Sequence, residues 1–456
     1  MKRTYACVSS AAAAIYALIA IALWIWPGAD AAVVCIGAVL TGCIGWGAWR
    51  LSNGRDAASL AVLAVALAVL TAGMIVNINY YTEVCGGTPD APVLINHDHE
   101  RNWLQATGVL DGIDSPNMLP SNYLMAALLW TAGRNIAVPI FFNIACALVT
   151  LVLVHSIALR MFGRRDVALA AMIMLCCMCY FMAQATTFIK DVPVTMAFAM
   201  AALAAVGISS AGGRAGARDA ALMAGAIALL ALFRNNALPF IAVGAAVYGV
   251  SRRSRPAAWV VIAVAAIAVW QTVHWLNPIS NIEQIVTTSS SKDVIIITEG
   301  SRPWDDAIGD YTVMPWWRKL MLLPLSVVVQ FLIPFPWNFA RDAVFGPFHA
   351  LAHFGYPWYL AGGMFLYYIG SRRLHGNAQA VRTALWAVAC TVIVAYLTSG
   401  RISRYCLPFL PMILPAAAYA LCTSLRRRSF QIWMGAFCLM LAGTLVVCYK
   451  MQHPGL

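Results

Sequence analysis

The feature that most limits what this chain can become is the recurrence, almost end to end, of apolar stretches about twenty residues long. They lie near 7–26, 31–49, 57–77, 136–158, 166–185, 190–208, 257–276, 353–370, 383–399, 405–423 and 430–449. Two shorter ones, 219–233 and 237–250, are separated by Arg234-Asn235-Asn236. A stretch of that length crosses a hydrocarbon layer as a helix, which satisfies its own backbone polar groups where no water can. Only 11% of the 456 residues are charged, against about a quarter in a soluble domain. That is too little polar side chain to cover a water-soluble surface. A transmembrane β-barrel would show alternating strands of about ten residues, and none is present. The expected fold class is an all-α polytopic membrane protein, a helical bundle of about thirteen transmembrane helices, forming one integral membrane domain over residues 1–456.

The net charge of +12 does not point to nucleic acid. The basic residues sit in short clusters between apolar segments: Lys2/Arg3, Arg50/Arg55, Arg160/Arg164/Arg165, Arg214/Arg218, Arg252/Arg253/Arg255, Arg372/Arg373 and Arg426/Arg427/Arg428. This is the positive-inside pattern that orients membrane proteins. With Lys2/Arg3 inside, it makes 78–135 a first outer loop with interfacial helices. A second outer loop runs from 277 and, with the element after it, reaches 352. Pro324, Pro334 and Pro336 interrupt the apolar run in 318–352. A single crossing there would put Arg372/Arg373 outside, so a re-entrant or interfacial element is expected, with a broken pair of crossings as the alternative. The first segment lacks a convincing small-residue cleavage site and reads as an uncleaved anchor.

Of thirteen cysteines, most fall in apolar segments and behave as small hydrophobes. Cys85 stands in a long loop, so neither a disulfide framework nor a CxxC metal site is implied.

Polar residues concentrate where orientation does not require them. The first outer loop carries His97, Asp98, His99, Glu100 and Arg101 in a row, with Asp111 and Asp114 close behind. Asp98 or Glu100 suits a general base acting on a hydroxyl, and His97 and His99 could join them as metal ligands. The bland alternative is a solvated loop. Lys190-Asp191 opens a later apolar segment at its outer end, where Asp191 is either a helix cap or part of a site beside a phosphate-binding Lys190. Arg234, Arg401 and Arg404 lie on the same outer side. Guanidinium presents a planar fork that fits phosphate oxygens, and the alternative is snorkelling to the interface.

Together these segments carry a likeness. DHERNWLQATGVL followed by PSNYLMAALLWTAG resembles the first outer loop of GT-C fold glycosyltransferases. The members it most resembles are the bacterial protein-O-mannosyltransferase-like and aminoarabinose-transferase-like ones. TTFIKDVPVTMAF is similar to that family's Lys-Asp element, and ALFRNNALPF and GRISRYCLPFLP to its arginine-containing segments. The last places Tyr405 in an Arg-Tyr-x-x-Pro-x-x-Pro pattern with Arg404. The likeness spans about 94–250 and 395–423, in family order. Two additional spans precede the loop here, and a histidine separates Asp98 from Glu100.

The resemblance implies transfer of a sugar from a polyprenyl-phosphate donor to an envelope glycan, lipid or protein, at the periplasmic face of a bacterial inner membrane. Asp98 or Glu100 would serve as base, and Lys190, Asp191, Arg234, Arg401, Arg404 and Tyr405 would form the donor-binding set. The cofactor expectation is none, or a divalent metal held near His97 and His99. Membrane lipids are expected partners and nucleic acid is not. A polysaccharide polymerase or ligase, and a lipid flippase or transporter without covalent chemistry, are the competing readings.

Overall fold

The structure is a computed structural model that describes residues 37–40, 42, 45, 57–94, 97–113, 120–131, 133–210, 216–250, 256–276, 314–332, 347, 354–371, 377–398 and 403–452. Among them the regular structure is helical, apart from one isolated bridge between Thr88 and Ala91. The helices run α1 (Ala57–Asn79), α2 (His97–Leu110), α3 (Pro120–Trp130), α4 (Ala137–Phe162), α5 (Arg165–Cys176), α6 (Cys179–Ala185) and α7 (Asp191–Ser210). There follow α8 (Ala217–Phe233), α9 (Leu238–Gly249), α10 (Pro256–Leu276), α11 (Trp316–Leu332), α12 (Tyr356–Gly370), α13 (Ala378–Thr398), α14 (Leu410–Ser424) and α15 (Arg428–Gln452). Short 3-10 segments, Asn235–Ala237 and Ser403–Phe409, precede α9 and α14.

The chain is an all-α multi-pass membrane protein. Among the described residues seven helices are long and apolar enough to cross a membrane. An eighth span results if α5 and α6, bent by 65° at their junction, are taken together. The sequence treats 166–185 as one segment; the structure breaks it. α8, α9 and α12, at 17, 12 and 15 residues, fall short of the about 20 that a single crossing needs. The expected spans near 7–26 and 31–49 lie almost wholly outside the described residues.

Two helices sit at the centre. α4 and α7 are buried over 89% and 83% of their most apolar windows. Residues 197–207 of α7, AFAMAALAAVG, are mostly small, so neighbouring backbones approach closely, as helix packing in lipid favours. α7 packs against α4, α8, α14 and the Ser403–Phe409 segment. Its Phe198 meets Trp386 of α13 and, edge-on, Phe409. α4 ends at Gly163, whose left-handed φ of 65° lets its N–H cap Leu159 O at 2.8 Å. α15 is the opposite case: it touches mainly α12 and turns Ile432, Leu439, Met440, Val446 and Val447 outward. Such an apolar exterior is a lipid-facing surface.

The end of the bundle carrying Arg160 is closed by ion pairs and hydrogen bonds. Arg160 Nη1 donates to Asp219 Oδ1 at 2.8 Å and to Leu203 O at 3.2 Å. Gly207 lies beneath this pair, where a Cβ would strike both side chains. Arg382 donates to Ser209 Oγ, Gln379 to Ser210 Oγ, and Asn377 to Met161 O.

α11 occupies the stretch expected to be re-entrant or interfacial and contains Pro324. It packs on α13 and the Ser403–Phe409 segment. Trp316, Trp317, Leu320, Met321, Leu325 and Val328 point outward, while Ser326 and Gln330 are buried. Ser326 and Gln330 face protein, while the outward side carries these apolar residues together with Arg318.

One close approach gives a test. Gly244 of α9 lies against the indole of Trp386, with no room for a methyl group; that indole donates to Phe240 O at 2.8 Å. Overpacking of this kind costs about 1–3 kcal/mol. Gly244→Ala is expected to lower the unfolding temperature in detergent, whereas Gly435→Ala on α15, where nothing lies within 4 Å, leaves it unchanged.

Candidate functional site

The site begins with a stretch of backbone that is not helical yet is buried. Between α6 and α7 the chain runs Thr186-Thr187-Phe188-Ile189-Lys190, and the first four of these are at most 5% exposed. Non-helical backbone inside a membrane bundle must find partners within the protein. Here two asparagines supply them. Asn77 of α1 donates to Thr186 O at 3.2 Å and to Thr186 Oγ1 at 3.0 Å. Asn143 of α4 donates from one amide nitrogen to Thr187 O at 2.8 Å and Ile189 O at 2.7 Å. Local bonds complete the loop: Thr186 and Thr187 hydroxyls return to Ala183 O and Gln184 O, and Ile189 N–H reaches Thr187 O.

This loop delivers Lys190 and Asp191 to a second element. Asp191 opens α7, 1% exposed, with Oδ1 3.2 Å from Arg234 Nη1. Distance makes this an ion pair, but it is not aligned as a hydrogen bond, because Asp191 Oδ1 accepts none. Arg234 ends α8 at φ −159° and ψ 77°, outside the helical region, and lays its guanidinium 4.4 Å from the centre of the Tyr405 ring. Arginine over an aromatic face is a favourable cation–π arrangement. Three stretches far apart in sequence therefore meet here, with Lys190 adjacent. Among the described side chains, this stretch and Arg234 bring one carboxylate and two cations to the same part of the bundle.

Beside it lies a narrow cleft of about 10 Å³, room for roughly one water molecule, lined by Asn102, Ser121, Asn122, Met125, Asn143, Phe188, Ile189, Lys190 and Phe233. α2 and α3 close one side. α2 turns His99, Asn102, Trp103 and Ala106 inward, at helical spacing, all below 9% exposed. Trp103 meets Phe188 edge-on at 5.9 Å, which docks α2 on the loop. Asn122 of α3 donates to Gln105 across the α2–α3 junction. Beyond it, Asp111 pairs with Arg134, which adopts a left-handed φ of 71°. That pair is exposed and contributes at most about 1 kcal/mol.

The sequence-predicted residues divide accordingly. Asp191, Arg234 and Tyr405 come together, and Lys190 lines the adjoining cleft. Glu100 lies on the exposed side of α2. Asp98 precedes Asn102 by one helical turn; of His97, Asp98 and Arg404 only the backbone is described, and Arg401 lies outside the described residues. Among the described residues no three His, Cys, Asp or Glu side chains converge as metal ligands. His99 is 1% exposed within α2's inward stripe. Sequence reasoning passed over Asn77, Asn102, Asn122 and Asn143. Each is a polar residue within or beside an apolar helix, the one signal that could have marked it.

A double-mutant cycle tests the ion pair. Removing one member of a buried pair leaves an uncompensated charge, costing about 3–5 kcal/mol, less here because Arg234 is 17% exposed. Asp191→Ala is expected to destabilise the protein by about 2–3 kcal/mol, and Asp191→Ala combined with Arg234→Leu to recover part of that loss in thermal unfolding. Additive effects would show that the two side chains do not interact.

No protein-family model matches the chain, and no curated protein matches it. Among solved structures, the oligosaccharyltransferase of Archaeoglobus fulgidus in its apo form is similar, at 15% identity and a TM-score of 0.48. The match covers 86% of this chain and 55% of that one, so this chain spans about half the length of the archaeal protein. A likeness at that level decides neither the fold nor the chemistry.

Proposed function

We propose that this protein is a GT-C-type membrane glycosyltransferase that moves a sugar from a polyprenyl-phosphate donor to an envelope glycan, lipid or protein. The observation that carries the reading is the meeting of Asp191, Arg234 and Tyr405 beside Lys190. Two cations at the edge of an apolar bundle suit a lipid phosphate. Its prenyl chain lies among the helices while the phosphate meets Lys190 and Arg234. Asp191 and the Tyr405 ring hold the guanidinium in one orientation, so its remaining N–H groups are fixed before substrate arrives. Arg404, next to Tyr405, belongs to the same donor-binding set, as does Arg401.

The chemistry is a single displacement. A carboxylate takes the proton from the acceptor hydroxyl as its oxygen attacks the anomeric carbon. The bond from that carbon to the phosphate oxygen breaks, prenyl phosphate departs with the electron pair, and the anomeric centre inverts. Of the two acids on α2, Asp98 is the base in this reading. It stands one turn before Asn102, which lines the cleft, whereas Glu100 is exposed. Cationic groups that stabilise charge developing on a leaving group are each worth about 10²–10³ in rate. The site faces the periplasm of a bacterial inner membrane, with the N-terminus cytoplasmic. It works without a metal, or with a divalent ion held near His97 and His99.

Purified protein, incubated with a polyprenyl-phosphate sugar and a membrane extract as acceptor, is expected to release prenyl phosphate. Asp98→Asn is expected to reduce release at least about 100-fold without loss of folded protein, and Arg234→Gln by about 10²-fold. Lipid translocation without release would favour a flippase. Activity confined to diphosphate-linked oligosaccharides would favour a polymerase or ligase. Either outcome would sink the transferase reading. Chelator treatment separates the two metal cases.

A further inference from the structure

The proposed reaction makes no use of α11, and the two sides of that helix differ. One side is held by the bundle. It packs on α13 and on the Ser403–Phe409 segment, and Ser326 and Gln330, one turn apart, are buried there. The end of the helix is fastened as well: Trp358 Nε1 donates to Phe331 O at 3.0 Å and Tyr359 Oη to Leu332 O at 2.7 Å. The other side is open, most of all toward its start. Trp316, Trp317, Leu320 and Met321 are exposed, Arg318 stands exposed among them, and Lys319 beside it is half-buried. No acidic residue occurs between Met314 and Leu332.

We infer that the start of α11 is a contact for the headgroups of anionic diacyl phospholipids. The order of its side chains sets the chemistry of the occupant. Leu320, Met321, Leu325 and Val328 turn a row of aliphatic groups outward, which acyl chains cover without loss. Tryptophan, an apolar body with one N–H, belongs where hydrocarbon gives way to headgroups. Arg318 and Lys319 adjoin Trp317 in the chain and so stand at headgroup level, with no carboxylate on the helix to offset them. A zwitterionic lipid offers the same hydrocarbon but cancels its phosphate with its own cation; an anionic lipid does not. Each basic residue near an anionic bilayer surface favours association by about fivefold. α11 thus links a lipid-selective surface to the segment that carries Tyr405. The binding requires neither turnover nor the transferase reading.

Photocrosslinking reads this contact locally. The full-length protein carries photoreactive benzoylphenylalanine in place of Met321, which is 74% exposed, and sits in nanodiscs of phosphatidylglycerol and phosphatidylcholine in equal amounts. A second version carries it in place of Leu439 on α15, 77% exposed and with no cation within a helical turn. The ratio of the two crosslinked lipids, read by mass spectrometry, is expected to favour phosphatidylglycerol about fivefold or more at position 321 relative to position 439. Arg318→Gln with Lys319→Gln is expected to bring the ratio at 321 down to that at 439, and an unchanged ratio at 439 reports that the variant keeps its fold. Equal ratios at the two positions, enrichment that survives the double substitution, or a double substitution that alters both ratios alike would overturn the inference. Crosslinks from 321 that reach protein in place of lipid would do the same, because they would show a protein partner on this face. Loss of the enrichment to inorganic phosphate at constant ionic strength would assign the cations to a free anion and likewise overturn it.

Discussion

The site depends on two asparagine side chains that replace missing helix hydrogen bonds. Residues 186–190 leave the helical ladder in the interior of the protein, where their carbonyls would otherwise be stranded at about 1–3 kcal/mol each. Asn77 and Asn143, from helices α1 and α4, supply the donors. Once those bonds are made, the direction in which Lys190 and Asp191 leave the loop is fixed. So is the wall against which α2 docks through Trp103 and Phe188. The ion pair with Arg234 and the stacking of Arg234 on Tyr405 follow from that placement. Loop, pair and cleft form one connected unit.

Under the proposed function, the arrangement reconciles two demands that oppose each other in a bilayer. Chemistry on a charged lipid would need fixed cations, while the bundle must keep charge out of hydrocarbon. Pairing Arg234 with a buried carboxylate and covering it with an aromatic ring lowers the cost of holding it there. At the other end of the bundle, Arg160 and Asp219 meet over Gly207, and there the same kind of pair closes helices together.

Much of this was legible in the sequence. Apolar segments about twenty residues long gave the helical membrane class, and the short segments flanking Arg234-Asn235-Asn236 became α8 and α9. TTFIKDVP, ALFRNN and SRYCLPF stood out as charged segments at the outer ends of apolar stretches, and the structure joins Asp191, Arg234 and Tyr405 from those three. What could not be read was the pairing of Asn77 with Thr186, 109 positions apart. A single asparagine in a helix gives no hint of its partner. The bend between α5 and α6 was also hidden, since neither proline nor glycine stands at Cys177-Met178. Nor does the sequence settle which side of α2 faces inward: Trp103 is buried, whereas its neighbour Leu104 is 60% exposed.

Amide hydrogen exchange across residues 184–191 tests the central claim most directly, because it asks whether this non-helical segment is held as firmly as the helices around it. The account requires the amides of Thr186, Thr187 and Ile189 to exchange as slowly as those in the middle of α4 and α7, and to speed up sharply when Asn143 is replaced by alanine. Rapid exchange in the unaltered protein, or protection indifferent to Asn143, would mean that the asparagines do not organise the site.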